Sequence, residues 1–209
     1  MFAVFDRMFK KEESEYCKNY NLAAKNSKKF NLGNYKSLKL TQERLLTKDN
    51  FIEFQKSIQE LNLKNEDLVA TCHATHIDLK QYVDDFYKVD SVITIGHLIH
   101  QNGGKMFFQE MDLRINALNN GYDITKPLEL HTWLTLPTGE ILDFTFLSTL
   151  AEFYRREGNH KVADLIDGGV IGGHPDEDAT ADNKYIPEFL GEEFFERTGL
   201  LKHYTGFFI

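Results

Sequence analysis

Cysteine is nearly absent: the chain has 2 in 209 residues, Cys17 and Cys72, far apart in the sequence. That excludes a disulfide framework and points to a reducing compartment. Basic charge is in deficit, 24 Lys and Arg against 32 Asp and Glu for a formal net charge of −8. The electrostatic footprint that a phosphate backbone requires is missing, so no nucleic acid is expected as a partner. Long apolar runs are missing too, since nothing approaches the roughly 20 residues of a membrane-spanning helix, and no membrane partner is expected. Asp6, Arg7 and Lys10 interrupt the apolar amino end, which argues against a cleaved secretory signal. A cytoplasmic location, or export without a cleaved signal, is the expectation. Internal repeats and extended low-complexity tracts are also lacking.

What is present is ordinary globular composition, 42% hydrophobic, 27% charged and 13% aromatic, enough for one sizeable core. The length suggests one domain with decorated ends: a helical or irregular lead-in over 1–46, a core over 47–150 and a helical extension with an acidic, Gly-rich loop over 151–209. Phe2, Phe5 and Phe9 recur at helical spacing and predict a short docking helix, whereas the Lys-, Asn- and Ser-rich stretch 11–40 predicts irregular or loosely helical structure.

From Thr47 a helix is well signalled, with Asp49 able to cap it and Phe51, Phe54, Ile58 and Leu61 forming one stripe. A second helix is expected from about Thr71 to Lys88, turning Leu79, Val83 and Phe86 inward. The period then changes. Val92 to Ile99 and Lys105 to Gln109 read as a hairpin turned at Gln101-Asn102-Gly103-Gly104, and Leu128 to Leu136 with Glu140 to Phe146 as a second, turned at Pro137-Thr138-Gly139. Two hairpins after a buried helix make an α+β domain in which an antiparallel sheet packs on that helix. A further helix to about Arg156, the Gly-rich stretch Asp167 to Lys184 and a last helical segment around Phe189 to Arg197 complete the expectation.

Cys72 falls near the start of the second helix, where unpaired amides and the positive end of the helix dipole lower a thiol's pKa and can hold an oxyanion. His131 lies in a strand, as a general base oriented by a third group would. Register tests that third group. A three-residue loop with Gly139 left-handed sets Leu136 against Glu140 and Asp143 against Trp133, on the His131 face, while a two-residue loop would turn Asp143 away.

Cys72, His131-Thr132-Trp133 and Asp143-Phe144-Thr145 resemble the transglutaminase-like branch of papain-like cysteine proteins, whose pattern is a helix-borne Cys, a strand with His-x-Trp and an adjacent strand with Asp-x-Thr. The match covers about residues 66–150 and departs at Ala70-Thr71, where many relatives carry Gly or an aromatic residue before the cysteine. The resemblance implies a papain/transglutaminase-like core with helical additions at both ends. It also implies acyl transfer at an amide or ester through a thioester, with Cys72 attacking, His131 as base and later acid, and Asp143 as orienter. The substrate would be a protein, a peptide or a small amide or amine, with no cofactor and no metal. Peptidase, amidase, deamidase and transferase share this triad and stay open, and a non-catalytic interaction domain on the same fold is the alternative.

Trp133 either walls the site or packs the sheet. His174 would reach substrate from a lid hinged at Gly168-Gly169 and Gly172-Gly173. Both are candidate substrate-binding residues. Asn62 and Asn65 have only spacing in their favour as a second oxyanion donor. Cys72, His73 and His76 lie close enough to suggest zinc but lack a fourth ligand at clean spacing, so His73 and His76 are expected to face solvent or to support the site from behind. The run Asp176 to Asp182 has the look of a calcium loop but carries Ala181 and Pro187 where glycine and glutamate are required.

Overall fold

The computed structural model describes residues 14–39, 43–123, 125–126, 129–178 and 182–203, so the Phe2, Phe5 and Phe9 stripe lies outside the described residues. Helix α1, Glu15–Lys29, stands where a loosely helical lead-in was expected. Ser14 caps it by accepting from the Cys17 amide, with Glu15 in the first turn and Lys28 and Lys29 in the last, in keeping with the helix dipole. Its buried face is Tyr16, Cys17, Tyr20, Ala23, Ala24 and Ser27. The spacing is helical, but small and polar-tipped side chains make the stripe easy to overlook.

Helix α2, Lys48–Glu60, buries Phe54 and Ile58 as expected, although Thr47 is its cap and Asp49 stands in the first turn. A short helix α3, Asn65–Leu68, leads to α4, Cys72–Tyr87. Leu79 and Val83 face the core, and α4 ends at Lys88, whose left-handed φ of 56° lets its amide bond the Asp84 carbonyl.

The strands are β1 (Val92–His100), β2 (Lys105–Met106), β3 (His131–Thr135), β4 (Ile141–Asp143), β5 (Ile171–Gly173) and β6 (Asn183–Leu190). Between and after them come α5 (Met111–Asn120), α6 (Phe146–Arg156), α7 (His160–Ile166) and α8 (Glu193–Thr198). Every strand pair is antiparallel: β1 holds β6 along one edge and β3 followed by β2 along the other, β3 pairs β4, and β4 pairs β5. The α+β class and the antiparallel sheet therefore hold. Alternation splits the core, with Ile93, Ile95, Leu134 and Leu142 facing α4 and Trp133, Ile141, Tyr185 and Leu190 facing α1. No helix among the described residues is long and apolar enough to cross a membrane.

The carboxyl-terminal part corrects the expectation of a purely helical addition. Residues read as a Gly-rich loop supply β5 and open β6, and Phe189, read as the start of the last helix, lies near the end of β6, so that α8 begins only at Glu193. Pro187 and Glu188 hid the strand. The β1–β6 register shifts between Ile95 and Gly96, so that Ile95 faces Phe189 and Gly96 faces Pro187, leaving Glu188 as a bulge. Gly172 and Gly173 pair with Leu142 and Ile141 inside the sheet, and the lid hinge expected at these two glycines is not formed.

Gly96 permits the close approach of β6. A β-carbon there would stand 1.9 Å from the Ile186 carbonyl oxygen and 3.0 Å from the Trp133 ring, so no side chain fits without moving backbone. Gly96→Ala is expected to destabilise the fold by about 3 kcal/mol or more, at or beyond the upper end of overpacking costs. The urea unfolding midpoint reads this directly, and a variant as stable as the parent would show that β6 does not approach as described.

Candidate active site

The site begins with a turn. Leu136 N donates to the Glu140 carbonyl at 2.8 Å and Gly139 N to the Leu136 carbonyl at 2.9 Å, with Gly139 at φ 91°. This is the three-residue loop with a left-handed glycine, and the Leu134–Leu142 pairing that follows places Asp143 opposite Trp133, on the His131 face. His131 Nε2 lies 2.6 Å from Asp143 Oδ2.

Asp143 is fully buried, and both of its oxygens are engaged. Oδ2 faces His131 and accepts from the Tyr185 hydroxyl at 2.9 Å. Oδ1 accepts from Thr145 N at 3.0 Å, Thr145 Oγ1 at 3.3 Å and Phe146 N at 3.1 Å. The Asp-x-Thr pattern thus caps α6 through the aspartate, while Thr145 gives that helix no side-chain cap of its own. Burial opposes the charge, but His131 and these donors hold the carboxyl well below the usual carboxylate range.

Cys72 is the first residue of α4. Ala70 takes the left-handed conformation, φ 57°, that glycine would adopt without strain, and its amide is tied to Thr149 Oγ1 at 3.2 Å. The turn before Cys72 thus takes, with Ala70, a shape that glycine would adopt more easily. Thr71 makes no side-chain cap, so it leaves the first-turn amides of α4 to other acceptors. Sγ lies 3.8 Å from the carbonyl oxygen of Leu130, the residue before His131, so the sulfur rounds the end of β3 to meet the imidazole. Burial raises the Cys72 thiol, yet hydrogen bonds from His131 and His73 outweigh it and bring the pKa down to about 6. Burial likewise disfavours the His131 imidazolium, but the Asp143 carboxylate and Cys72 push it up to about 10. Between these values a thiolate faces an imidazolium.

His76 backs the pair. Its Nδ1 donates to the Cys72 carbonyl at 2.6 Å and its Nε2 accepts from Phe144 N at 3.2 Å, which fixes one neutral tautomer. It is fully buried, the supporting one of the two positions expected for it and not the solvent-facing one, and has no ring nitrogen left for zinc. Among the described residues no group of three or more His, Cys, Asp or Glu is placed to hold a metal ion.

The remaining candidates are placed as follows. Trp133 is fully buried, donates from Nε1 to the Tyr16 hydroxyl at 2.8 Å and packs edge-on against Tyr185, so in this conformation it packs the sheet. His174 is also fully buried, in the turn after β5, where its Nδ1 accepts from Asp176 N at 3.3 Å. Asn62 gives its side-chain amide to the Glu60 carbonyl at 3.3 Å, and the Asn65 side chain lies outside the described residues. Asp176 accepts from Tyr16 N and Asp178 from Arg44, so two carboxylates of the suspected calcium loop hold protein instead, while Ala181 lies outside the described residues.

Sequence reasoning missed two contributors, Tyr185 and Phe107. Tyr185 fell between the expected Gly-rich stretch and the expected last helix, though the aromatic and β-branched run Tyr185-Ile186 was a signal for β6. His76, named beside Cys72 in the sequence, stands one helical turn after it and so shares its face. Phe107, stacked on His131 with ring centroids 4.9 Å apart and 20° between planes, had no sequence signal.

Buried His76 also sets a pH dependence. Burial pulls its pKa down to about 4 from the ordinary 6.5, so the unfolded chain binds more protons than the native one between these values. Stability should therefore fall as pH drops from about 6.5 through 4. The depressed Asp143 extends the loss further into acid. Cys72 and His131 do not mask it, because their opposing contributions operate mainly above pH 6. Urea midpoints measured from pH 7 to 4 test this, and a flat profile would contradict a neutral, buried His76. Compared with known proteins, the chain matches no family model, no curated protein and no solved structure.

Proposed function

We propose that the chain is a cysteine-dependent acyl-transfer enzyme of transglutaminase-like type, with a papain-like arrangement of helix and sheet. The observation that carries the reading is the 2.6 Å contact between His131 Nε2 and Asp143 Oδ2, with Cys72 near enough to the same imidazole for it to lower the thiol's pKa. Nucleophile, base and orienter are the parts that a thiol triad needs.

In this mechanism the Cys72 thiolate attacks the carbonyl carbon of an amide or ester, and the oxyanion that forms is met by the first-turn amides of α4. The intermediate collapses to a thioester as His131 gives its proton to the departing amine or alcohol. Water or an amine then attacks the thioester, His131 takes the incoming proton, and the acid or new amide leaves with the thiolate restored. Asp143 stays ionised throughout and holds the imidazole in orientation. Water yields a hydrolase or deamidase and an amine yields a transferase.

A second reading rests on a different observation. Cys72 is 7% exposed and His131 2%, so a substrate reaches the sulfur only if the covering segment moves, and a closed site also suits a non-catalytic interaction domain. Iodoacetamide alkylation of Cys72 against pH, followed by mass spectrometry, separates the two. Rapid alkylation with a midpoint near 6, moved in His131→Ala toward the roughly 8.5 of a free thiol, is the enzyme's outcome. An ordinary thiol profile in both proteins would withdraw the triad and favour the binding domain.

A further inference from the structure

Phe107 sits just after β2 at φ 58°, a conformation that costs an aromatic residue free energy and persists only where surroundings impose it. The imposing groups are charged and buried. Arg114, from α5, donates from Nη2 to the Phe107 carbonyl at 3.2 Å and is 1% exposed. Its Nε pairs with Glu188 Oε2 at 2.5 Å, and Glu188 Oε1 takes His97 Nδ1 at 2.8 Å. The bulge described above leaves Glu188 out of the β1–β6 pairing and so frees it for this contact. His97 packs edge-on against Phe108 at 5.0 Å, and Lys105 Nζ covers the Phe108 ring at 3.7 Å. A desolvated ion network is a costly way to hold one carbonyl, and here it fixes the backbone that lays Phe107 on His131.

We propose that Phe107 is a positioning residue for His131, its ring face holding the imidazole in plane and stabilising the imidazolium by cation–π attraction. The proposal rests on the triad reading above, because it concerns the charge that this reading assigns to His131. The charged and titratable groups facing that imidazole are Asp143 from β4, Cys72 from α4 and Tyr185 from β6, with His73 beside Cys72 and His76 behind Asp143. From the side of Phe107 come Arg114, Glu188 and His97, which reach it only through the Phe107 carbonyl, and Lys105, which covers Phe108. All stay in place when only the ring at 107 is changed.

The test is an NMR titration of ¹⁵N-labelled histidine in the full chain, the His131 signal being identified by its loss in His131→Gln. Phe107→Leu keeps bulk and removes the π face, and Phe107→Tyr keeps the face. Phe107→Leu should lower the His131 midpoint by about half to one pH unit, while Phe107→Tyr should titrate with the parent. A Phe107→Leu protein that titrates with the parent, or a Phe107→Tyr protein that falls as far as Phe107→Leu, would overturn the proposal. A parent His131 that titrates near the ordinary ~6.5 would instead count against the ion pair itself, so the two failures are distinguishable.

Discussion

A carboxylate shut away from water is the constraint around which the molecule is organised. Asp143 has no exposed surface, and a lone buried charge would be intolerable without partners. Its partners come from three parts of the chain: the imidazole of β3, the hydroxyl of Tyr185 on β6, and the amides that open α6. Satisfying this one group fixes the β3–β4 register, the start of α6 and the place of β6. The arrangement of His131 and Asp143 thus follows from solving a solvation problem, whatever chemistry it serves.

Charge around the sulfur follows the same logic. Cys72 and Asp143 would repel if nothing stood between them, and the imidazole bonded to both is the neutralising layer. Helix amino termini help at each end, α4 at the sulfur and α6 at the carboxylate. His76 couples the two anions mechanically by bonding the carbonyl of Cys72 and the amide of Phe144. Neither anion can shift without disturbing the other. That rigidity holds the cluster in one arrangement, the preorganisation that the proposed reaction would require.

Legibility in the sequence divided along physical lines. The relation of His131 to Asp143 was readable because a hairpin's register follows from loop length, and Gly139 signalled the odd loop. Cys72 at a helix start was readable from the stripe of α4. The face of α1 was not, because Tyr16 and Ser27 bury polar-tipped side chains through specific hydrogen bonds that no hydrophobic period announces. β6 failed for another reason: a bulge at Glu188 breaks alternation just where Pro187 argues against a strand. With β6 went Tyr185 and the Glu188 network, and Phe107 depends on that network, so one misread strand concealed most of the supporting residues.

The position of Tyr185 also bears on how such a protein is born. Cys72, His131 and Asp143 are all translated well before β6, yet Asp143 lacks its hydroxyl donor, and β1 one whole edge, until that late strand emerges. Contacts between α1 and β6, such as Asn26 with the Glu188 carbonyl and Ser27 with Leu190, join segments about as distant as the chain contains, which makes their formation slow and late. A nascent chain therefore carries Cys72 and His131 without the framework that orders them. The cluster around Asp143 is completed only when synthesis of the fold is nearly finished, because its Tyr185 donor arrives with the late strand.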